Sequence, residues 1–145
     1  MSYDSKHEAS LIYVVGRVNQ GIRKQMRTCL AQWGLSVQEY TTLSVLSARP
    51  GLSNAQLARR ALVTPQAMIE ILAKLENRNL VRREVDPSHG RILRAELTPE
   101  AEALLGEADP AIHAIQDELL KSVPEDERLA AIRAMRTAMT NLSRH

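Results

Sequence analysis

Apolar residues recur every three or four positions over the first part of the chain. Leu11, Val15, Val18, Ile22, Met26, Cys29 and Trp33 therefore share one face of a helix predicted from about Ala9 to Trp33 and closed by Gly34. A second stripe, Met68, Ile71, Leu72 and Leu75, predicts a helix that begins after Thr64 and ends near Asn79, a residue type that tolerates the left-handed backbone of a helix end. A third, Leu129, Ile132, Met135, Met139 and Leu142, predicts a last helix from Glu125 to about Leu142. Between the second and third stripes the period changes. Val81 to Val85 and Ile92 to Leu97 are β-compatible runs, the latter alternating Leu93, Ala95 and Leu97 with Ile92, Arg94 and Glu96. They flank Asp86-Pro87-Ser88-His89-Gly90, a polar turn, and so predict a β-hairpin.

Helix starts carry one repeated device, a hydroxyl that can accept from the unpaired amides of a first turn, followed by Glu/Gln or by proline. Ser36 with Glu39, Ser53 with Gln56 and Ser122 with Glu125 read as capping boxes; Thr64-Pro65 and Thr98-Pro99 read as a cap followed by proline. Further helices are thus expected from Val37 to about Ala48, before Pro50-Gly51, and from Asn54 to about Arg60. Another runs from Pro99 to about Lys121, with Pro110 inside it, where a proline kinks a helix. A short helix, the tight connection Ala61-Leu62-Val63, a second helix and then a hairpin is the order of a winged helix-turn-helix. The expected fold class is mainly α with a small β-hairpin. One domain spans 1–145: a winged helix-turn-helix lobe over about 36–98, flanked by long helices over about 9–33 and 99–143.

Composition narrows the function. A chain of 145 residues, 44% hydrophobic, with no Phe and one Trp, can bury an aliphatic core without metal or disulfide. Cys29 is the single cysteine, which excludes an internal disulfide and points to a reducing compartment. Residues 1–10 carry Asp4, Lys6, His7 and Glu8 and no apolar run, so no secretory signal is read, no stretch reaches the length of a bilayer span, and a cytoplasmic protein is expected. The net charge of +2 is small, but its distribution is uneven. From Ser53 to Thr98 basic residues exceed acids by three; from Pro99 to Glu127 acids exceed bases by eight. One segment suits phosphate and the other would be repelled by it.

Candidate chemistry favours nucleic acid over catalysis. No nucleophile with a base, paired carboxylates or phosphate loop stands out, no cofactor is expected, and His7, His89, His113 and His145 lack metal-ligand spacing. Thr64, Gln66 and Ala67 open the second helix of the pair with small or amide side chains, where close approach to base edges is required, and Gln66 is the obvious reader. The hairpin carries Arg82, Arg83, Arg91 and Arg94, with Arg91 best placed for a minor groove and Asp86 beside it as an exposed orienting carboxylate. Each feature has a plainer reading: ordinary core for the Leu11 to Trp33 stripe, a solvated Gln66, a wet charged hairpin, a reduced buried thiol at Cys29 rather than a sensor. A winged helix that binds protein and not DNA is the alternative function.

Three segments carry a family resemblance: Leu62-Val63-Thr64-Pro65-Gln66-Ala67-Met68, Leu75-Glu76-Asn77-Arg78-Asn79-Leu80-Val81-Arg82-Arg83, and Asp86-Pro87-Ser88-His89-Gly90-Arg91 leading to Leu97-Thr98. With them the chain resembles the MarR family of bacterial regulators from Ala9 to Leu142. The resemblance implies a homodimer whose first and last helices interlock, here through Leu11, Val15, Val18, Leu129, Ile132, Met139 and Leu142. It implies repression of transcription at an inverted-repeat site in double-stranded DNA until a small, often aromatic, acid or a redox signal releases the protein. DNA contacts are expected from Ser53, Asn54, Gln56, Thr64, Pro65, Gln66, Ala67, Arg82, Arg83, His89 and Arg91. Tyr13, Arg17, Trp33, Tyr40 and His113 are candidates for an effector pocket. The chain departs from the common pattern at Glu70, where arginine is frequent, at Asn79, where glycine is usual, and at His89, where a second wing aspartate is usual.

Overall fold

The computed structural model describes residues 10–144, without the side chains of His89, Arg91 and Ile92. They fall into two compact units, one up to Ile112 and one from His113 onward. The first unit opens with helix α1 (Leu11–Leu30), which tightens into a 3-10 turn over Ala31–Trp33 and ends on Gly34 at φ 62, the left-handed conformation glycine adopts at little cost. Ala9, the expected start of this helix, lies outside the described residues.

Helix α2 (Val37–Ala48) begins on a complete capping box: the Glu39 amide donates to the Ser36 hydroxyl at 3.0 Å, and the Ser36 amide to the Glu39 carboxylate at 3.0 Å. Strand β1 (Leu52–Ser53) leads into helix α3 (Asn54–Ala61), and helix α4 (Pro65–Asn77) follows. Strands β2 (Val81–Asp86) and β3 (His89–Leu97) form the hairpin, and helix α5 (Pro99–Leu119) leaves it. β1 was not expected. It pairs antiparallel with β3, Leu52 opposite Ala95 and Ser53 opposite Arg94, so the hairpin becomes a three-stranded sheet in the order β1-β3-β2.

The core of this unit is aliphatic, as the absence of Phe requires. Leu30, Leu43, Leu46, Leu57, Met68, Leu72 and Leu75 are its largest fully buried side chains. The stripe on α4, Met68, Ile71, Leu72 and Leu75, is buried throughout, which fixes the opposite face outward. Arg78 locks the end of α1 to the end of α4 by donating to the carbonyls of Trp33 at 2.8 Å and Gly34 at 3.0 Å. The Thr98 hydroxyl both donates to the Asn79 carbonyl at 2.7 Å and accepts from the Ala101 amide at 3.2 Å, joining the close of α4 to the start of α5. Asn79 stands at φ 57, a position where the amide residue does what glycine would do with less strain.

In the second unit α5 ends and helix α6 (Glu125–Leu142) follows. The expected Ser122 capping box is not formed. Pro124 occupies the N-cap without a side-chain bond, and Ser122 instead turns the chain at φ 68. Proline lacks an amide to complete the box and fixes the entry angle itself. Arg128 closes this turn, donating to the carbonyls of Leu120 at 2.6 Å and Val123 at 2.9 Å. No residue of α6 is buried.

One hydrogen bond generates a test of the first unit. The Tyr40 hydroxyl on α2 donates to Asp109 on α5 at 2.6 Å. Burial, and then this bond to a carboxylate, push the phenol from 10.0 up to about 12. The folded chain therefore holds the phenolic proton more tightly than the unfolded chain, so this contribution is present in full below pH 10 and is lost as pH rises towards 12. In urea unfolding, the stability gap between wild type and Tyr40→Phe should stay constant below pH 10 and shrink from there to pH 12; a constant gap across the range would contradict the assignment.

Candidate nucleic-acid interface

The start of α4 is built by three short-range devices. The Ala67 amide donates to the Thr64 hydroxyl at 3.1 Å, Pro65 occupies the first helical position, and the Asn54 side chain donates to the Pro65 carbonyl at 3.2 Å. The last bond ties the first residue of α3 to the first of α4, across the turn between two helices that also share the buried core. The turn that joins them passes through Leu62, left-handed at φ 60 and 90% exposed. A non-glycine residue there costs roughly 1 kcal/mol, so the geometry of the turn is imposed by the packed helices on either side.

The expected contacts divide by what their side chains already do. Ser53 and Gln56 hold each other in a capping box at the start of α3, the Gln56 amide donating to Ser53 at 3.3 Å and the Ser53 amide to Gln56 at 3.0 Å. Thr64 caps α4 and Asn54 bridges the two helices. Gln66 is exposed and forms no hydrogen bond among the described residues, and Pro65 and Ala67 flank it. With Ile69, Glu70 and Ala73 it makes one outward face opposite the buried stripe. On β2, Arg82 is exposed, while Arg83 pairs with Glu76 and so braces the hairpin against α4.

Asp86 is not the exposed carboxylate that its turn sequence suggests; it is 7% exposed. One oxygen accepts from the Ser88 amide at 2.8 Å, which shapes the Pro87-Ser88 turn, and the other accepts from Arg94 Nε at 2.7 Å. A second Arg94 nitrogen lies 2.6 Å from the same oxygen. The third, Nη1, donates to the Gly51 carbonyl at 2.9 Å and lies 3.4 Å from Gln56 Oε1. Arg94 thus clasps the hairpin turn, β1 and the start of α3. Strand register shifts between Val85 opposite Leu93 and Asp86 opposite His89, so residues 90–92 are extra on β3 and form a bulge just below the turn. The expected contacts at His89 and Arg91, and the expected pairing of Arg91 with Asp86, fall on side chains outside the described residues.

The residues proposed for an effector pocket separate into local arrangements. Arg17 donates to the Tyr13 hydroxyl at 2.9 Å, the Trp33 indole donates to Glu107 at 3.0 Å, Tyr40 is engaged by Asp109, and His113 is exposed in the second unit. None of them lines the cavity of about 280 Å³ that lies in the first unit between α1 and the start of α2, bounded by Arg23, Arg27, Leu35, Ser36, Val37 and Gln38. Two guanidinium groups beside a helix N-terminus make it cationic. Arg23 and Arg27 stand off the apolar stripe of α1, where charged residues read as ordinary surface, so the sequence pattern does not mark them.

Relatives decide what this arrangement belongs to. A model of the MarR family matches residues 33–92, from the turn after α1 into the hairpin. The HTH-type transcriptional repressor Rv2887 of Mycobacterium tuberculosis is 41% identical over 113 residues, 78% of this chain and 81% of that protein. The chain belongs to the MarR family. It is a transcriptional regulator with the winged-helix fold of that family. The crystal structure of Rv2887 in complex with salicylic acid superposes with a TM-score of 0.72 at 36% identity, covering 90% of this chain and 96% of that one. CouR, a repressor bound to a 23-mer DNA duplex, superposes with a TM-score of 0.80 at 25% identity, covering 90% and 92%.

The clasp at the base of the wing yields an expectation for this MarR-family chain. An exposed ion pair contributes about 0–1 kcal/mol, whereas removing one partner of a buried, charged hydrogen bond costs about 1–3 kcal/mol. Asp86→Ala should therefore destabilise the protein by about 1–3 kcal/mol in urea unfolding; a change below roughly 0.5 kcal/mol would mean that the clasp is not held in solution.

Proposed function

We propose that the protein represses transcription by binding an inverted-repeat operator as a homodimer in the cytoplasm, and that a small acidic effector releases it. The observation that carries this reading is the outward face of α4, with Gln66 unengaged at its first turn and held beside a hairpin bearing Arg82. A helix so presented fits the major groove with its N-terminal residues at base edges, while the hairpin reaches the flanking backbone. Gln66 is the base reader, with Thr64, Pro65 and Ala67 allowing close approach. Arg82 neutralises phosphate, and Arg91 and His89 keep a role in the wing on sequence grounds.

Pairing is supported by apolar surface that one chain leaves uncovered. Leu11, Val15 and Val18 on α1 are 63, 42 and 41% exposed, and Leu129, Ile132, Met139 and Leu142 on α6 are 49, 46, 68 and 77% exposed. Stripes of this kind mark association surfaces, and two-fold pairing presents two recognition helices to two half-sites about 10 base pairs apart. Rv2887 takes salicylic acid. An acid of that class suits the cavity beside Arg23 and Arg27, since guanidinium groups recognise carboxylates. A regulator of this kind has no catalytic step. Among the described residues no helix is long and apolar enough to cross a membrane, and no group of His, Cys, Asp and Glu is placed to hold a metal.

Binding to duplexes selected from a random pool tests the reading, as does loss of binding on addition of salicylate. Gln66→Ala should weaken binding to the selected duplex by about 1–3 kcal/mol and leave random duplex almost unchanged. Equal losses on both would remove Gln66 from base reading. Val15→Asp with Leu142→Asp should give a monomer in sedimentation and abolish tight binding without altering α4; a variant that stays dimeric, or binds as a monomer with full affinity, would refute the proposed seam.

A further inference from the structure

The outward face of α4 holds a feature that phosphate attraction does not explain. Gln66, Ile69, Glu70 and Ala73 follow one another at helical spacing and are all exposed, Ile69 by 46%. Glu70 stands near the middle of this face. The other carboxylate of α4, Glu76, is paired with Arg83. Glu70 has no hydrogen bond or ion pair among the described residues. A bare carboxylate on a surface that approaches DNA is repelled by every phosphate, and a hydrogen-bond donor on a base edge compensates that repulsion in a sequence-dependent way.

The major groove offers such a donor on two bases, cytosine through N4 and adenine through N6; guanine presents N7 and O6 acceptors, and thymine presents O4 and a methyl group. Adenine carries the acceptor N7 beside its amino group, which opposes the second carboxylate oxygen. Cytosine carries a C–H there, which does not. Glu70 lies one helical turn beyond Gln66, about 6 Å along the axis, against about 3.4 Å per base-pair step. Its base pair is therefore one or two steps from the pair under Gln66. The alanine at position 73, with no side chain beyond Cβ, leaves the carboxylate room to descend to the base edge.

We propose that Glu70 is a specificity-determining residue that accepts from the N4 amino group of one cytosine in each half-site and rejects guanine and thymine at that place by acceptor repulsion. This rests on the reading of α4 as the major-groove element. It requires the carboxylate specifically, so an amide of the same shape must behave differently.

Selection from a random duplex pool by wild type, Glu70→Ala and Glu70→Gln, with titration of the selected duplex and its single-pair variants, tests it. Wild type should enrich cytosine at one position per half-site and lose about 10- to 100-fold in affinity when that pair is changed to T·A or A·T. For Glu70→Ala the same changes should matter by less than about 3-fold, and random duplex should bind at least as tightly as to wild type, because a repelling charge is gone. Glu70→Gln, whose amide both donates and accepts, should admit adenine at that position. If Glu70→Ala selects the wild-type consensus and binds every duplex more tightly by one common factor, the carboxylate only repels phosphate and the proposal fails. Adenine enriched by wild type at the Glu70-dependent position would overturn the cytosine assignment. No enrichment of any sequence by wild type would instead overturn the DNA-binding reading, and this one with it.

Discussion

A single guanidinium, that of Arg94, donates at once to Asp86 in the hairpin turn and to the Gly51 carbonyl, with Gln56 at the start of α3 in reach. A two-stranded hairpin is marginal in water by itself. Here its turn is shaped by the same Asp86 that receives Arg94, its inner strand is paired with β1, and its outer strand is braced to α4 through Arg83 and Glu76. The position of the hairpin relative to α4 therefore depends on one buried carboxylate, Asp86, and on half-buried charged partners around it. A buried carboxylate favours the geometry that keeps its donors, because losing them leaves its charge without a partner.

The two faces of α4 carry separate tasks. Met68, Ile71, Leu72 and Leu75 hold the helix to the core, and their spacing alone determines that Gln66, Glu70 and Ala73 look away from it. Charge along the chain follows the same division. The lobe from Ser53 to Thr98 is basic, whereas Pro99 to Glu127 is strongly acidic. Charges of the first kind attract phosphate and those of the second repel it.

Much of the fold was legible in local chemistry. Ser36, Ser53 and Thr64 cap the helices they were expected to cap, and the change of period at Val81 marks the hairpin, because caps and periodicity are settled by residues within one or two turns. Failures come where an element is too short to show a period, where a nearby residue takes over a local role, or where a partner lies on another strand. β1 is two residues long and is defined by its partner strand, 43 positions away at Leu52 and Ala95. Ser122 looks like a cap in isolation, but Pro124 takes the place. In the candidate site, the unengaged Gln66 was readable as the first turn of a capped helix. The clasp was not: Asp86 was paired in expectation with its neighbour in the turn, whereas its described partner Arg94 sits across the strand and is oriented by Gly51, which no local pattern relates to it. The cavity beside Arg23 and Arg27 was not legible because charged residues off an apolar stripe read as ordinary surface.

In the proposed complex two copies of α4 occupy two successive major grooves with the wings on the flanking minor grooves. Dimethyl sulfate footprinting on a selected operator tests this directly, since the reagent attacks guanine N7 in the major groove and adenine N3 in the minor groove. The expected result is two blocks of guanine protection about 10 base pairs apart, each with adenine protection on its outer side. A single block, or adenine protection without guanine protection, would contradict the claim.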